Sequence, residues 1–401
     1  MPATTLPRPD EAGLRATVER LAFPGRGPTS QGEEEAARWI AGRISALGWP
    51  ARVEEEEATA SYAWPVAALC TLAAAGGLAA GRGRRLAGLL AGLAATAGIA
   101  DDVSCGPQLV RRVFSARRTA FNVVAETGDP DAARALVVTV HHDAAPSGLV
   151  FDQTVQRWFA GRFPGVVERI TQNPPMWWPV VAGPALVAAG SATGSAVMRR
   201  AGLAVSVVAA VALADIGTRP AVPGANDNLS GVAALVEIAG ALRDRPVRGL
   251  RVLLVSAGAE EALQQGIRGF ARRHFHYLAP ERTWFLNLDT VGSGNLVLLE
   301  GEGPLWMEDY SPGLNDLVQR CAEEQGIAVK RGLRSRNSTD GVVPNRAGYP
   351  TATLVSVDDQ KLLPDYHLPT DTPDTVDYRC VGDAALLAES VARTLAELPA
   401  T

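Results

Sequence analysis

Five short stretches of the chain carry side chains able to hold a cation or move a proton, and each ends or follows an apolar run. They are Val138-Thr139-Val140-His141-His142-Asp143, Gly224-Ala225-Asn226-Asp227-Asn228-Leu229-Ser230-Gly231 and Val255-Ser256-Ala257-Gly258-Ala259-Glu260-Glu261. The other two are Phe285-Leu286-Asn287-Leu288-Asp289, and Asp365-Tyr366-His367 followed by Thr370-Asp371-Thr372. Together they offer imidazoles and carboxylates, the ligand types that borderline-soft zinc accepts. Two cations about 3.5–4 Å apart need a carboxylate between them. A further carboxylate, beside the pair but unbound, can act as base toward a water. Adjacent glutamates can divide such work, because successive side chains leaving a strand point in different directions. Taken singly, each element has an ordinary role: Asp227 or Asp371 at a helix start is an N-cap, and Glu-Glu is a solvated face. Their common placement at strand ends argues for a joint one, since open α/β sheets bind ligands there.

Composition narrows the chemistry. There are five histidines, so a metal site must lean on carboxylates. The four cysteines lack C-x-x-C spacing, which points away from a cysteine zinc site or a disulfide framework. A net charge of -5 argues against a nucleic-acid partner. The first sixty residues are polar and hold no apolar leader run. His274 and His276 sit among Arg272 and Arg273 and read as surface or capping residues, while Arg331, Arg334 and Arg336 read as a solvated loop or a clamp for a substrate carboxylate.

The elements that must position these residues alternate. Strands are expected at 52–56, 121–125, 135–140, 250–256, 284–288, 296–299 and 351–357; helices at 11–23, 32–47, 230–243, 266–274, 314–324 and 381–395. Such alternation gives an α/β fold: a central, mostly parallel mixed sheet covered by helices on both faces.

Two apolar blocks interrupt this pattern. Tyr62 to Gly81 carries no charge; after Arg82, Arg84 and Arg85 a second run covers Leu86 to Ala100 and ends at Asp101-Asp102. About 114 residues later Trp64-Pro65-Val66 is matched by Trp178-Pro179-Val180, Arg84-Arg85 by Arg199-Arg200, and the closing acid by Asp215. This reads as a duplicated helical hairpin, each turned at an arginine pair, forming one four-helix apolar unit. Gly77/Gly81, Gly88/Gly92 and Gly190/Gly194 give small-xxx-small spacing for close packing. The expected division is 1–61, 102–172 and 218–401 for the catalytic domain, with hairpins at 62–101 and 173–217. A spanning helix needs about 20 apolar residues; 62–81 and 176–198 are long enough, 86–100 and 201–214 short. Membrane association through 62–100 and 176–215 is the favoured reading; a soluble lid, packed on itself or on a second copy in a homodimer, is the other. The positive-inside rule would put the arginine turns in the cytoplasm and the catalytic domain outside it; the missing leader opposes this, and sidedness stays open.

The five stretches taken together resemble the di-zinc aminopeptidase family, whose relatives include glutamate carboxypeptidases and glutaminyl cyclases. The likeness covers most of 119–142 and 218–376. It implies two zinc ions per chain, with His141 and Asp289 on the first, Glu261 and His367 on the second, and Asp227 bridging. It further implies Asp143 as the partner that orients His141, Glu260 as general base, Tyr366 as oxyanion donor, His142 pointing away, and a cis Asp227–Asn228 bond. Two departures stand out: His141 and Asp227 are 86 positions apart, and the Ser-Asp-His segment of many members is here Ser338-Thr339-Asp340-Gly341. The implied activity is hydrolysis of a terminal peptide bond, as an aminopeptidase-like exopeptidase. The alternatives are a single-zinc glutaminyl cyclase type acyltransferase, separable by metal content, and an inactive membrane receptor or scaffold, against which the intact ligand set speaks.

Overall fold

The computed structural model describes residues 6–398. Helices α1 (Glu11–Leu21) and α2 (Gln31–Ala46) are capped by the Asp10 and Ser30 side chains, and strand β1 (Ala51–Ala58) follows. Next come α3 (Ala63–Gly81), α4 (Arg85–Val103) and α5 (Leu109–Phe114), then β2 (Arg118–Gly128) and β3 (Ala135–His141). After β3 lie α6 (Thr154–Arg162), α7 (Pro164–Val167), α8 (Trp177–Thr193), α9 (Ala196–Thr218) and α10 (Ser230–Asp244). Strand β4 (Arg251–Ala257), α11 (Gln265–His274), β5 (Thr283–Leu288), β6 (Asn295–Leu298), β7 (Gly301–Glu302), β8 (Glu308–Asp309) and α12 (Pro312–Gln325) continue the chain. Then come β9 (Val329–Lys330), β10 (Arg334–Ser335), α13 (Val342–Arg346), β11 (Thr351–Val357) and α14 (Tyr378–Glu397).

Eight strands form one mixed sheet in the order β1-β2-β4-β3-β5-β11-β6-β9, and its central four are parallel. Alternation splits the side chains of β3: Leu136, Val138 and Val140 join the core under α1, α2, α10, α12 and α14, while Ala135 and Val137 face Phe270 of α11 on the opposite side. The α/β sheet covered on both faces is therefore as the sequence implied. Successive connections leave β3 toward β4 on one side and β5 on the other, so the crevice at its carboxyl end is a topological switch point.

The apolar helices pack as one four-helix bundle: α3 against α4 and α9, α8 against α4 and α9. Three of them, α3, α4 and α9, are long and apolar enough to cross a membrane. The lengths differ from expectation. Helix α8 is 17 residues with Pro184 inside it and ends at Gly194, whose φ of +79° is open to glycine at no steric cost. Ser195 then caps α9, so Arg199 and Arg200 lie in that helix's first turns and not in the link. Close approaches in the bundle fall at Gly76, Gly88, Gly92, Gly190 and Gly202. A Cβ on Gly92 would stand 2.7 Å from Ala188 N and 2.8 Å from Pro184 O, whereas one on Gly77 would make only ordinary contact.

Candidate metal centre

Four chain segments converge at the carboxyl ends of β3, β4 and β5. His141 is the last residue of β3, Glu260 and Glu261 follow β4, Asp289 follows β5, and Asp227 sits in the turn before α10. His367 comes from the loop after β11 and holds a φ of +55°, a left-handed conformation that is costly for a side chain of its size. All six are less than a tenth exposed.

Asp227 stands between the two imidazoles. Its Oδ1 is 3.3 Å from His141 Nε2 and its Oδ2 is 3.3 Å from His367 Nε2. Asp289 Oδ2 lies 3.8 Å from His141 Nε2, and Glu261 Oε2 lies 3.3 Å from His367 Nε2. Ligand atoms therefore cluster in two triads that share one carboxylate, His141–Asp227–Asp289 and Asp227–Glu261–His367; His141, Glu260 and Glu261 form a third grouping. Asp227 Oδ2, Glu261 Oε1 and both His367 ring nitrogens are buried without a hydrogen-bond partner. Buried polar atoms are rarely left so, and oxygen and nitrogen donors of this kind suit zinc. The residues present thus fit two cations sharing a carboxylate.

Burial and mutual repulsion shape the charges. Burial raises the Glu260 carboxyl well above the usual range, with His141 opposing and Glu261 adding to the rise. Burial pushes His367 down, but Glu261 and Asp227 outweigh it and carry the imidazolium up to about 10. Burial also raises Asp227, yet the two imidazoles hold it below the ordinary carboxylate range. Tyr366 stacks on the His367 ring at 3.9 Å, and burial together with the nearby carboxylates keeps its phenol neutral.

The backbone that aims these ligands is itself held by buried carboxylates. Asp143 accepts the N–H groups of Glu260 and Glu261, both at 3.0 Å. Its Oδ1 is 3.5 Å from His141 Nδ1, longer than a hydrogen bond, so it grips the glutamate loop more firmly than the imidazole. Asp371, read from sequence as an N-cap, accepts from Asn226 N at 2.7 Å and Asp227 N at 3.1 Å instead. The Asp227–Asn228 bond is cis. Gln264 Nε2 donates to Glu260 Oε1 at 2.8 Å and to Ser338 O at 3.0 Å. Asp340 is buried with both oxygens unpartnered, and burial raises it well above the usual range, with His141 opposing. His142 points to Ser256 Oγ at 2.9 Å, and burial lowers it to about 3.

Two supports were missed from sequence. Glu33, in the first turn of α2, is fully buried and accepts from Phe121 N at 2.8 Å and Thr29 N at 2.5 Å. A Cβ on Gly258 would lie 2.3 Å from its Oε1, so it braces the loop that carries Glu260. Arg26 is also fully buried. It donates to the carbonyls of Leu21, His142, Pro223 and Gly224, tying together the two chain positions that flank α6 to α9. Arg26→Ala is expected to cost about 3 kcal/mol or more, because each abandoned carbonyl loses about 1–3 kcal/mol. Arg26→Lys should recover only part of this, lacking the planar fork. Thermal unfolding of the metal-loaded chain in detergent reads both.

Other expectations are corrected. His274 is not a surface residue: it is 2% exposed and its Nε2 meets Glu54 Oε2 at 2.7 Å beneath β1. Arg331 is paired with Glu300 and Asp316, and Arg334 with Asp309, which leaves neither free as a clamp; Arg336 lies over the Trp178 ring at 5.4 Å.

The bundle reaches the site. Tyr62, Val66, Ile99, Leu213 and Ile216 form one apolar cluster with Phe151 and Leu263, and Tyr366 and Leu368 pack against it. The Phe151 ring is 4.4 Å from that of His367.

Residues 208–392 match Peptidase family M28, a stretch that contains Asp227, Glu260, Glu261, Asp289, Tyr366 and His367 and begins after His141. No curated protein sequence matches. Among solved structures, the glutaminyl cyclase of Bacteroides thetaiotaomicron bound to N-acetylhistamine superposes with a TM-score of 0.58 at 16% identity, covering 97% of this chain and 99% of that one. A leucine aminopeptidase precursor from the same species gives 0.56 at 16% identity, with 96% and 98% covered. BSAP, a zinc aminopeptidase from Bacillus subtilis, gives 0.55 at 14% identity, with 96% and 95% covered.

Proposed function

We propose that this chain, of which residues 208–392 match Peptidase family M28, is a zinc-dependent hydrolase that removes a terminal residue from a membrane-held peptide, using two zinc ions. The observation that carries the reading is Asp227, with one oxygen toward each imidazole at 3.3 Å, so that two ligand triads share it. His141 and Asp289 would hold one ion, Glu261 and His367 the other. Zinc held there would polarise the scissile carbonyl and lower the pKa of an attacking water. Glu260, kept out of the two triads that share Asp227 and steadied by Gln264, takes the water's proton and delivers it to the leaving amine. Tyr366, a neutral phenol, donates to the oxygen that gains charge. Asp143 and Asp371 keep the ligand loops in register.

The completeness of both triads favours hydrolysis over single-zinc cyclisation. The membrane part of the reading is supported by three helices of spanning length whose outward faces expose Leu72, Leu78, Leu86, Leu90, Leu93, Val207, Val208 and Val211. The bundle's base forms the apolar wall beside Tyr366, which suits an apolar terminal side chain. The full chain in detergent is expected to hold two zinc ions and to release terminal residues from aminoacyl-peptide substrates, with loss on chelation and return on zinc addition. One ion per chain, with conversion of N-terminal glutamine to a cyclic product, would replace this reading by the cyclase one.

A further inference from the structure

The segment from Leu149 to Ile170 has almost no interior. Within α6 only Ala160 is buried, and in α7 no residue is. Val155 is 71% exposed, Trp158 65% and Val166 49%, and Phe159, Phe163 and Ile170 are also exposed. The aromatic rings among them meet one another, Phe159 and Phe163 at 5.1 Å and Trp158 and Phe163 at 6.5 Å. Helix α5 shows the same pattern, with Leu109 61%, Val113 72% and Phe114 82% exposed.

These segments are nonetheless anchored, and in matching ways. Asp101, near the end of α4, accepts from the N–H of Leu109 at 2.7 Å. Asp215, near the end of α9, accepts from the N–H of Leu149 at 2.8 Å. Both exposed segments therefore start from the same end of the bundle, opposite the α3–α4 and α8–α9 links. Trp64 and Trp178, half exposed, open α3 and α8 at that end. Farther along, Gln153 Nε2 donates to Leu363 O at 2.6 Å, and Lys361 Nζ donates to Glu168 O at 2.7 Å and Ile170 O at 3.0 Å.

We propose that α5 and residues 149–170 form a docking surface for the headgroup boundary of an acidic phospholipid bilayer, lying in its plane where the bundle enters. The inference rests on the reading that the bundle crosses the membrane. Two features commit it to lipid. Helix α5 packs against α4 and the turn at Leu149–Phe151 packs against α9, so both exposed apolar segments adjoin the bundle. Exposed arginines are interleaved with the apolar groups, and among the described residues Arg112, Arg162 and Arg169 make no ion pair; Arg162 lies 5.2 Å over the Phe163 ring. Arginine heads reaching anionic headgroups above buried tryptophan and phenylalanine are what an interfacial helix presents. The lipid-bound segment borders the site, because Phe151 at its start touches His367.

The test uses the full chain in vesicles of neutral and acidic phospholipid. A fluorophore is placed on Trp158→Cys, Phe114→Cys or Leu90→Cys; the four native cysteines are buried. Labels at 158 and 114 should be quenched about two-fold or more better by headgroup spin labels than by labels near the acyl-chain end, and shielded from iodide, as for groups 5–10 Å below the surface. The label at 90 should show the reverse depth order. Deep quenching at 90 with free iodide access at 158 and 114 would overturn the docking surface and leave the spanning bundle standing. Shielding at 158 without lipid quenching would overturn it in favour of a protein partner. Absence of deep quenching at 90 would remove the spanning reading, and the docking surface with it.

Discussion

Glu260→Gln should keep two zinc ions and the native fold while hydrolysis falls by about 10²–10⁴-fold, the usual worth of a positioned general base. In barrier terms that is about 3–5 kcal/mol. The substitution is nearly isosteric, and the features that place residue 260 do not depend on its charge: its N–H is held by Asp143, and its side chain meets Gln264, which an amide oxygen can also accept from. What the amide cannot do is take a proton. Glu260 is absent from the two triads that share Asp227, so metal content measured on the same sample separates loss of the base from loss of the ions. Glu261→Gln should behave differently and weaken metal binding, since Glu261 faces His367 at 3.3 Å. If the two variants exchange these phenotypes, the roles of the pair are reversed.

Asp227→Ala should lose both ions, with affinity falling by more than the about 10–100-fold that removal of a supporting residue costs. A shared carboxylate supplies a donor to each ion and the negative charge that separates them. Its removal leaves each triad with two ligands and no screen between the cations. The fold should survive, because Asp371 grips the backbone N–H groups of residues 226 and 227 and not the Asp227 carboxylate. Metal analysis after dialysis, with circular dichroism on the same preparation, decides it. Retention of two ions would sink the bridging assignment.

Much of this architecture was legible in the chain. Strands 135–141 and 351–357 carry no charged residue before their ends and are rich in Val, Leu, Ala and Thr, as suits strands buried on both faces. The stretches at His141, Glu260 and Asp289 were visible because each ends or follows a strand, whereas Asp227 stands between α9 and α10, away from any strand end in sequence. What sequence did not reveal depends on partners distant along the chain. Glu33 looks like an ordinary first-turn acid until β2 brings Phe121 N to it, 88 positions on. Arg26 and Asp371 act on carbonyls and N–H groups more than a hundred positions away. His274 seemed exposed because it follows two arginines, yet β1 covers it. The link between α8 and α9 was misplaced for a local reason: Gly194-Ser195 carries a stop and a cap signal, and the arginine pair was weighed above it. Helices α6 and α7 escaped notice since their apolar residues show no buried face, and periodicity has nothing to report where nothing is covered.

The placement of the second hairpin also dictates an order of assembly. His141 and Asp227 are 86 positions apart and must end 3.3 Å from one another. Closing so long a loop costs little at equilibrium, about 0.6 kcal/mol for each doubling of its length. In time, however, the hairpin must be synthesised before Asp227 exists, and the β3–β4 pairing comes later still. A chain emerging from the ribosome therefore has α3, α4, α8 and α9 complete while the sheet still lacks β4, β5 and β11. The apolar bundle can thus assemble before the metal ligands Asp227, Glu260, Glu261, Asp289 and His367 are all in place.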